Sequence, residues 1–184
     1  MSKGVSSNIE SQCVMLSSER LFMRGIDQDL HFDILNLDDH NSLSILGLDD
    51  LDQLNKQRMR AASGLSGVNE TFFYFQLFEK EKGKRIGTCG LSAIHSIHQR
   101  AELYYLIEPE YRRLGYAKEA VSAVSSFALQ SLRIAKLFAL VFVDHDISIR
   151  VLESANFLRE TTLKKHGVDD GILKDVFVYS RINQ

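Results

Sequence analysis

Proline is nearly absent: 184 residues hold one, Pro109, and no repetitive or low-complexity stretch stands in for a linker. Nothing therefore divides the chain, and its length suits one hydrophobic core. A single domain is expected over residues 16–184, behind a flexible tail over residues 1–15. Cysteine is scarce too. Cys13 and Cys89 show neither zinc-site nor redox-pair spacing, which leaves two reduced thiols. Charge of one sign is also lacking, since 22 basic residues against 24 acidic ones give a net charge of −2. That excludes an overall attraction to nucleic acid or to an anionic membrane, so any basic patch has to be local. No run reaches the ~18 apolar residues of a membrane span. The opening MSKGVSSNIESQ lacks the apolar core of a secretion signal, so a cytoplasmic protein is expected. His95, His98, His145 and His166 are scattered without ligand spacing, and no metal is expected.

What is present is a chain that is 45% hydrophobic, patterned with two periods. SSERLFMR (17–24) reads as a first strand, and Ile26, Leu30, Ile34 and Leu37 then recur at helical spacing. A second helix is expected from Asp49 to Ala62. TFFYFQLFEKEKGKRIGTCGL predicts two strands around a Lys-Gly turn. AELYYLI (101–107) predicts another, with Glu102, Tyr104 and Leu106 on one face and Leu103, Tyr105 and Ile107 on the other. Pro109 has no amide hydrogen, so extension stops there. Ala120, Val121, Val124, Phe127 and Ala128 stripe one side of a helix from Tyr116 to Leu132. KLFALVFV (136–143) suits a strand covered on both faces, and SIRVLESA a short helix with Asn156 in the left-handed exit. Strands over 158–166 and 174–182 flank an Asp-Gly turn. The order is that of a mixed α/β fold.

Between the strand that Pro109 ends and the next helix lie Arg112, Arg113, Leu114, Gly115, Tyr116 and Ala117. A helix start presents unpaired amide hydrogens and partial positive charge, which suits a phosphate or pyrophosphate. Gly115 lets backbone come close, and Arg112 adds a charged fork. The plain alternative is a solvated basic loop that caps the helix. Neither G-x-x-x-x-G-K-[ST] nor G-x-G-x-x-G occurs, so the common nucleotide fingerprints do not apply.

PEYRRLGYAKEA resembles the [Q/R]-x-x-G-x-[G/A] pyrophosphate-binding signature of the GNAT superfamily of N-acetyltransferases. SERLFMR, SIRVLESANF and GILKDVFVYSRI are similar, in the same order, to segments of its RimJ/RimL-type branch. The resemblance implies a mostly antiparallel twisted sheet of about seven strands flanked by about four helices, splayed at a cofactor cleft. It further implies acetyl-CoA as co-substrate, bound by Arg112 to Ala117, and direct transfer to a primary amine with no acyl-enzyme. A backbone amide near Leu106 or Ile107 is expected at the carbonyl oxygen, and His145 stands where many members carry an asparagine that touches the pantetheine arm. Leu152 occupies the place of the general-acid tyrosine of other branches. That role must fall elsewhere or to water.

Glu102 is chosen as base, directly or through water; the alternative is a carboxylate that merely attracts a cationic amine. Ser148 is chosen as donor toward the sulfur, although a serine that opens a helix is more often a cap. Tyr179 is a further hydroxyl, equally well explained by packing. From Gly25 to Asn55 there is no Lys or Arg, while Asp27, Asp29, Asp33, Asp38, Asp39, Asp49, Asp50 and Asp52 fall inside. Such a rim would attract a protonated amine, small or at a protein N-terminus, or consist of helix caps. The alternative function is an acyl-CoA-binding module that catalyses nothing. A monomer or homodimer is expected.

Overall fold

The structure, a computed structural model, describes residues 14–46, 50–55 and 71–183. In chain order it contains β1 (Met15–Ser17), β2 (Leu21–Asp27), α1 (Gln28–Leu35), α2 (Asp39–Leu46), β3 (Thr71–Glu79), β4 (Arg85–His95) and β5 (Arg100–Ile107). A 3-10 turn (Pro109–Tyr111) leads to α3 (Tyr116–Gln130), β6 (Lys136–Phe142), α4 (Asp146–Ser154), β7 (Leu158–Asp169) and β8 (Ile172–Ile182). The strands form one eight-stranded sheet in the order β1-β2-β3-β4-β5-β6-β8-β7. Every pairing is antiparallel except β5 with β6.

The first strand is two. Ser18 to Arg20 turn the chain, and β1 folds back on β2 with Met15 opposite Arg24. Most of the expected tail, residues 1–13, lies outside the described residues, as does most of the helix expected over 49–62; residues 51–55 are helical. The helical rhythm after Gly25 also divides differently. Ile26 belongs to β2, and Asp27 caps α1 by accepting from the Leu30 amide at 2.9 Å. Asp38 then begins α2, which the sequence reading missed, by accepting from the Asn41 amide at 3.1 Å. An aspartate that satisfies the first amides of a new helix competes with continuation of the old one. Buried Ser42 ties the two together through a 2.8 Å bond to the Ile34 carbonyl.

α1 and α2 pack their apolar faces on one side of the sheet around Ile26, Leu30, Ile34, Ile45 and Leu46. The end of α2 has no basic residue of its own. Its Ile45 carbonyl is met from the sheet by part-buried Arg24 Nη2 at 3.0 Å and buried Gln76 Nε2 at 2.6 Å, so two polar side chains finish the helix. On the other side α3 and α4 cover the larger core, where Ala120, Val121, Val124 and Ala128 meet Leu91, Leu103 and Leu137. Full burial of a leucine-sized side chain stabilises by about 1.5–3 kcal/mol. β6 alternates buried and part-exposed residues, with Leu140 39% exposed, so it is covered on one face rather than two. Asn156 (φ 64) provides the left-handed exit from α4. Asp170 and Gly171 (φ 49 and 77) make the two-residue turn that joins β7 to β8.

Candidate active site

The sheet opens at one place. β5 and β6 pair only at Arg100–Lys136, Ala101–Leu137 and Glu102–Phe138; beyond Glu102 they part, and β5 stays paired with β4 alone. The Glu108 amide donates to the Ile86 carbonyl at 2.9 Å, which fixes the alternation of the β4–β5 ladder. Glu102, Tyr104 and Leu106 therefore turn their backbone groups to β4, while Leu103, Tyr105 and Ile107 turn theirs to the opening. Of the two expected amides, Ile107 faces the opening and Leu106 does not, because one residue of displacement reverses the direction. Tyr105 supplies a second amide on the correct side, which residue type alone could not have revealed.

At the far end of this edge, the Pro109 turn and a left-handed Arg113 (φ 63) bring the chain round to α3. Gly115 is the N-cap at φ 85, ψ −2, with no side-chain cap. The first bond of the helix runs from the Glu119 amide to the Gly115 carbonyl at 3.2 Å. The amides of Tyr116, Ala117 and Lys118 thus come before any intrahelical acceptor, and Gly115 has no side chain with which to cap them. Arg112 leans back on β5, its Nε donating to the Ile107 carbonyl at 2.9 Å.

The loop is held from behind by a residue the sequence reading passed over. Arg20 Nη1 donates to the Leu114 carbonyl at 2.8 Å, its guanidinium lies 4.7 Å over the Tyr116 ring, and Glu119 grips it at 2.8–2.9 Å. Burial works against ionisation of Glu119, but the Arg20 amide, Ser18 and the guanidinium together hold its carboxyl below its ordinary range. The Tyr116 hydroxyl turns inward to Glu79 Oε1 at 2.8 Å, in a buried pair. Tyr116 therefore offers the site its amide, not its hydroxyl.

A cleft of ≈ 900 Å³ runs between β5, this loop and α4. It brings together Leu106, Ile107, Arg112, Arg113, Gly115, Tyr116, Ala117, His145 and Ser148 of the expected set, and leaves out Leu114 and Glu102. Leu114 is 53% exposed, its carbonyl committed to Arg20. His145 is the exposed N-cap of α4. Ser148 stands three residues further on, in the first turn, so it is not the cap. Beside it lies a group the sequence reading did not select: the Tyr105 hydroxyl, buried against the cleft and without a hydrogen bond of normal geometry. Burial raises its pKa, and neighbouring Ser148 partly offsets the rise. Tyr179 is 2% exposed and its hydroxyl is engaged with Glu153 at 2.9 Å.

Glu102 sits on the other face. In register, Ile26, Tyr74, Gly90 and Tyr104 run across the sheet on the side that carries α1 and α2, and Glu102 shares that side. It is also the last residue of β5 still paired with β6, at the point of parting. Of the acidic stretch, Asp27, Asp38 and Asp50 accept from backbone amides as helix caps, Asp29 and Asp33 are exposed, and Asp49 lies outside the described residues. Nearby, His31 meets the Tyr74 hydroxyl at 3.0 Å among Phe32 and Phe72, and burial lowers its pKa to about 4.

A helix start whose N-cap has no side chain, a cleft beside it and a strand edge without a partner strand suit a diphosphate with a long polar arm. The family model described as Acetyltransferase (GNAT) domain matches residues 20–158. The chain belongs to the GNAT acetyltransferase family. It is 28% identical over 178 residues to the Uncharacterized N-acetyltransferase YoaA of Bacillus subtilis (strain 168), covering 90% of this chain and 95% of that one. Among solved structures, spermidine N-acetyltransferase from Vibrio cholerae in complex with CoA and spermine shares the fold at TM-score 0.67 and 20% identity, over 90% of this chain and 97% of that one. Ribosomal-protein-S5-alanine acetyltransferase from Vibrio fischeri does so at TM-score 0.65 and 21% identity, over 92% and 97%. This GNAT chain is thus an N-acetyltransferase with the mixed, mostly antiparallel sheet of its family. GNAT enzymes use acetyl-CoA. No helix among the described residues is long and apolar enough to cross a membrane.

Proposed function

We propose that this chain moves an acetyl group from acetyl-CoA directly to a primary amine, with both substrates bound, as a RimJ/RimL-type enzyme. The observation that carries the reading is the free edge of β5, which runs from the uncapped start of α3 to the parting at Glu102. Acetyl-CoA, when bound, supplies an activated acyl group as a thioester. The amides of Tyr116 and Ala117 and the Arg112 and Arg113 side chains would hold its diphosphate, and His145 would border its arm. The Ile107 and Tyr105 amides are the donors available to a carbonyl oxygen that gains charge. Glu102 takes the proton of the amine, directly or through one water, from the opposite face of the sheet.

The acceptor comes from the α1 and α2 side, where exposed Asp29 and Asp33 favour a cation. A polyamine and a protein N-terminal amine both meet that demand, and the names of the two Vibrio enzymes span the same range. The enzyme works in the cytoplasm as a monomer or homodimer. The test is CoA release from acetyl-CoA with spermidine, spermine and N-terminal peptides, beside calorimetry of CoA binding. Amine-stimulated release is expected. Tight binding with no release by any amine would make the chain a binder instead.

A further inference from the structure

The Tyr105 hydroxyl is a buried polar group whose neighbour Ser148 gives it no hydrogen bond of normal geometry. Leaving such a group unsatisfied costs about 1–3 kcal/mol, so its partner is to be sought in what fills the space beside it. That space is the cleft, which Tyr105 and Ser148 line together. The side chain shares the α3 and α4 side of the sheet with Leu103 and Ile107, while its own amide faces the opening between β5 and β6. One residue thus turns an N–H to the free edge and lines the cleft with its side chain, the hydroxyl being buried in the cleft wall. The other hydroxyl considered, that of Tyr179, is engaged with Glu153, and Leu152 carries none.

We propose that Tyr105 is the proton donor to the departing sulfur, with Ser148 beside it as the hydroxyl that resupplies the proton. This rests on the acetyl-transfer reading above. As the amine nitrogen bonds to the acyl carbon, the carbon–sulfur bond breaks and its electron pair stays on sulfur, which takes the Tyr105 proton to become the CoA thiol. The proton shed by the amine leaves through Glu102 or water to solvent. Tyr105 regains its own from solvent through Ser148, so the sum is amine plus thioester to amide plus thiol. The pairing also gives Ser148 a task that its place in the first turn of α4, behind the N-cap, does not.

The test begins with binding and needs no turnover. Calorimetry compares CoA with desulfo-CoA, in which hydrogen replaces the thiol, at about pH 10, well above the ~8.5 of a cysteine thiol, so that much of the CoA is thiolate. The wild-type protein is expected to prefer CoA by about tenfold, as a hydrogen bond to a charged acceptor would give. Tyr105→Phe, which keeps the ring, is expected to bind desulfo-CoA normally and to lose the preference. An unchanged preference in Tyr105→Phe overturns the proposal while leaving the acetyl-transfer reading intact. Failure of the wild-type protein to bind either compound overturns both. As a second readout, kcat of Tyr105→Phe with acetyl-CoA should fall ~100-fold at constant KM. The deficit should shrink with the selenium analogue, whose weakly basic selenolate leaves without a proton. A deficit equal for both donors would make Tyr105 a packing residue.

Discussion

Arg20 reaches from the turn before β2 to the carbonyl of Leu114, 94 residues later, at 2.8 Å. The same guanidinium covers the Tyr116 ring and is anchored by Glu119, so the loop that precedes α3 is fastened to the turn before β2. A carbonyl held from behind leaves the amides on the other side of the loop aimed outward. Arg20 is a positioning residue in this scheme.

Replacement of Arg20 should therefore weaken ligand binding without contact to the ligand. In Arg20→Ala, CoA affinity is expected to fall about fivefold, with a stability loss of about 1 kcal/mol, since exposed ion pairs and cation–π contacts are individually small. Arg20→Lys should recover little, because an ammonium cannot fork between Glu119 and Leu114 and stack as well. Calorimetry and thermal unfolding on the three proteins check this; an affinity equal to wild type in Arg20→Ala would show that Arg20 does not position the loop for binding.

Gly115 tests the cradle by backbone shape. At φ 85 an L-residue is strained, by about 1–2 kcal/mol, and a β-branched one fares worst. A Cβ there would also lie 3.2 Å from Arg20 Nη2, the far end of a flexible side chain that can yield. Gly115→Asn should keep the fold and most of the CoA affinity, since asparagine tolerates this conformation. Gly115→Val should lose at least tenfold in affinity and melt lower. Equal behaviour of the two variants would mean that the conformation at 115 is irrelevant to binding.

Glu102→Gln separates base from scaffold. Its turnover should drop about 100-fold, the scale of general-base loss, with acetyl-CoA affinity within about twofold of wild type. Because Glu102 is not in the cleft lining, a large loss of acetyl-CoA affinity would instead report a disturbed strand.

His31 makes stability depend on pH. Its folded pKa of about 4 lies below the ordinary 6.5, so the unfolded chain takes up a proton that the folded one refuses. Stability is full above 6.5 and is lost as the pH falls from there through about 4. The loss should reach the order of 2 kcal/mol, discounted for the part of the ring that water reaches. His31→Phe should flatten this slope. Urea unfolding at about pH 7 and about pH 5 measures it, and an equal slope in both proteins would clear His31 of the effect.

Much of this molecule was readable before its structure. Pro109 stops β5, Gly115 takes a left-handed angle at the start of α3, Asn156 and Asp170-Gly171 take left-handed angles, and the elements carry the expected apolar stripes. Each is a local rule acting through the residues beside it. What could not be read is non-local. Which amide of β5 faces the opening depends on the parity of a ladder with β4, the Arg20 clamp spans nearly the first half of the chain, and the Tyr105 hydroxyl acquires meaning only when α4 places Ser148 beside it. The break between α1 and α2 was local yet missed, because an apolar rhythm hid the competing aspartate at 38.

The three-rung contact of β5 with β6 divides the sheet into two plates, β1 to β5 and β6 to β8. In the chain they are bridged by α3, whose buried Val121 and Val124 belong to the core shared by both plates while its first turn borders the cleft. Grip at one end of that beam and the width of the wedge at its side are then one mechanical property. Damage to its apolar underside should be felt at the mouth of the cleft before it is felt in either plate.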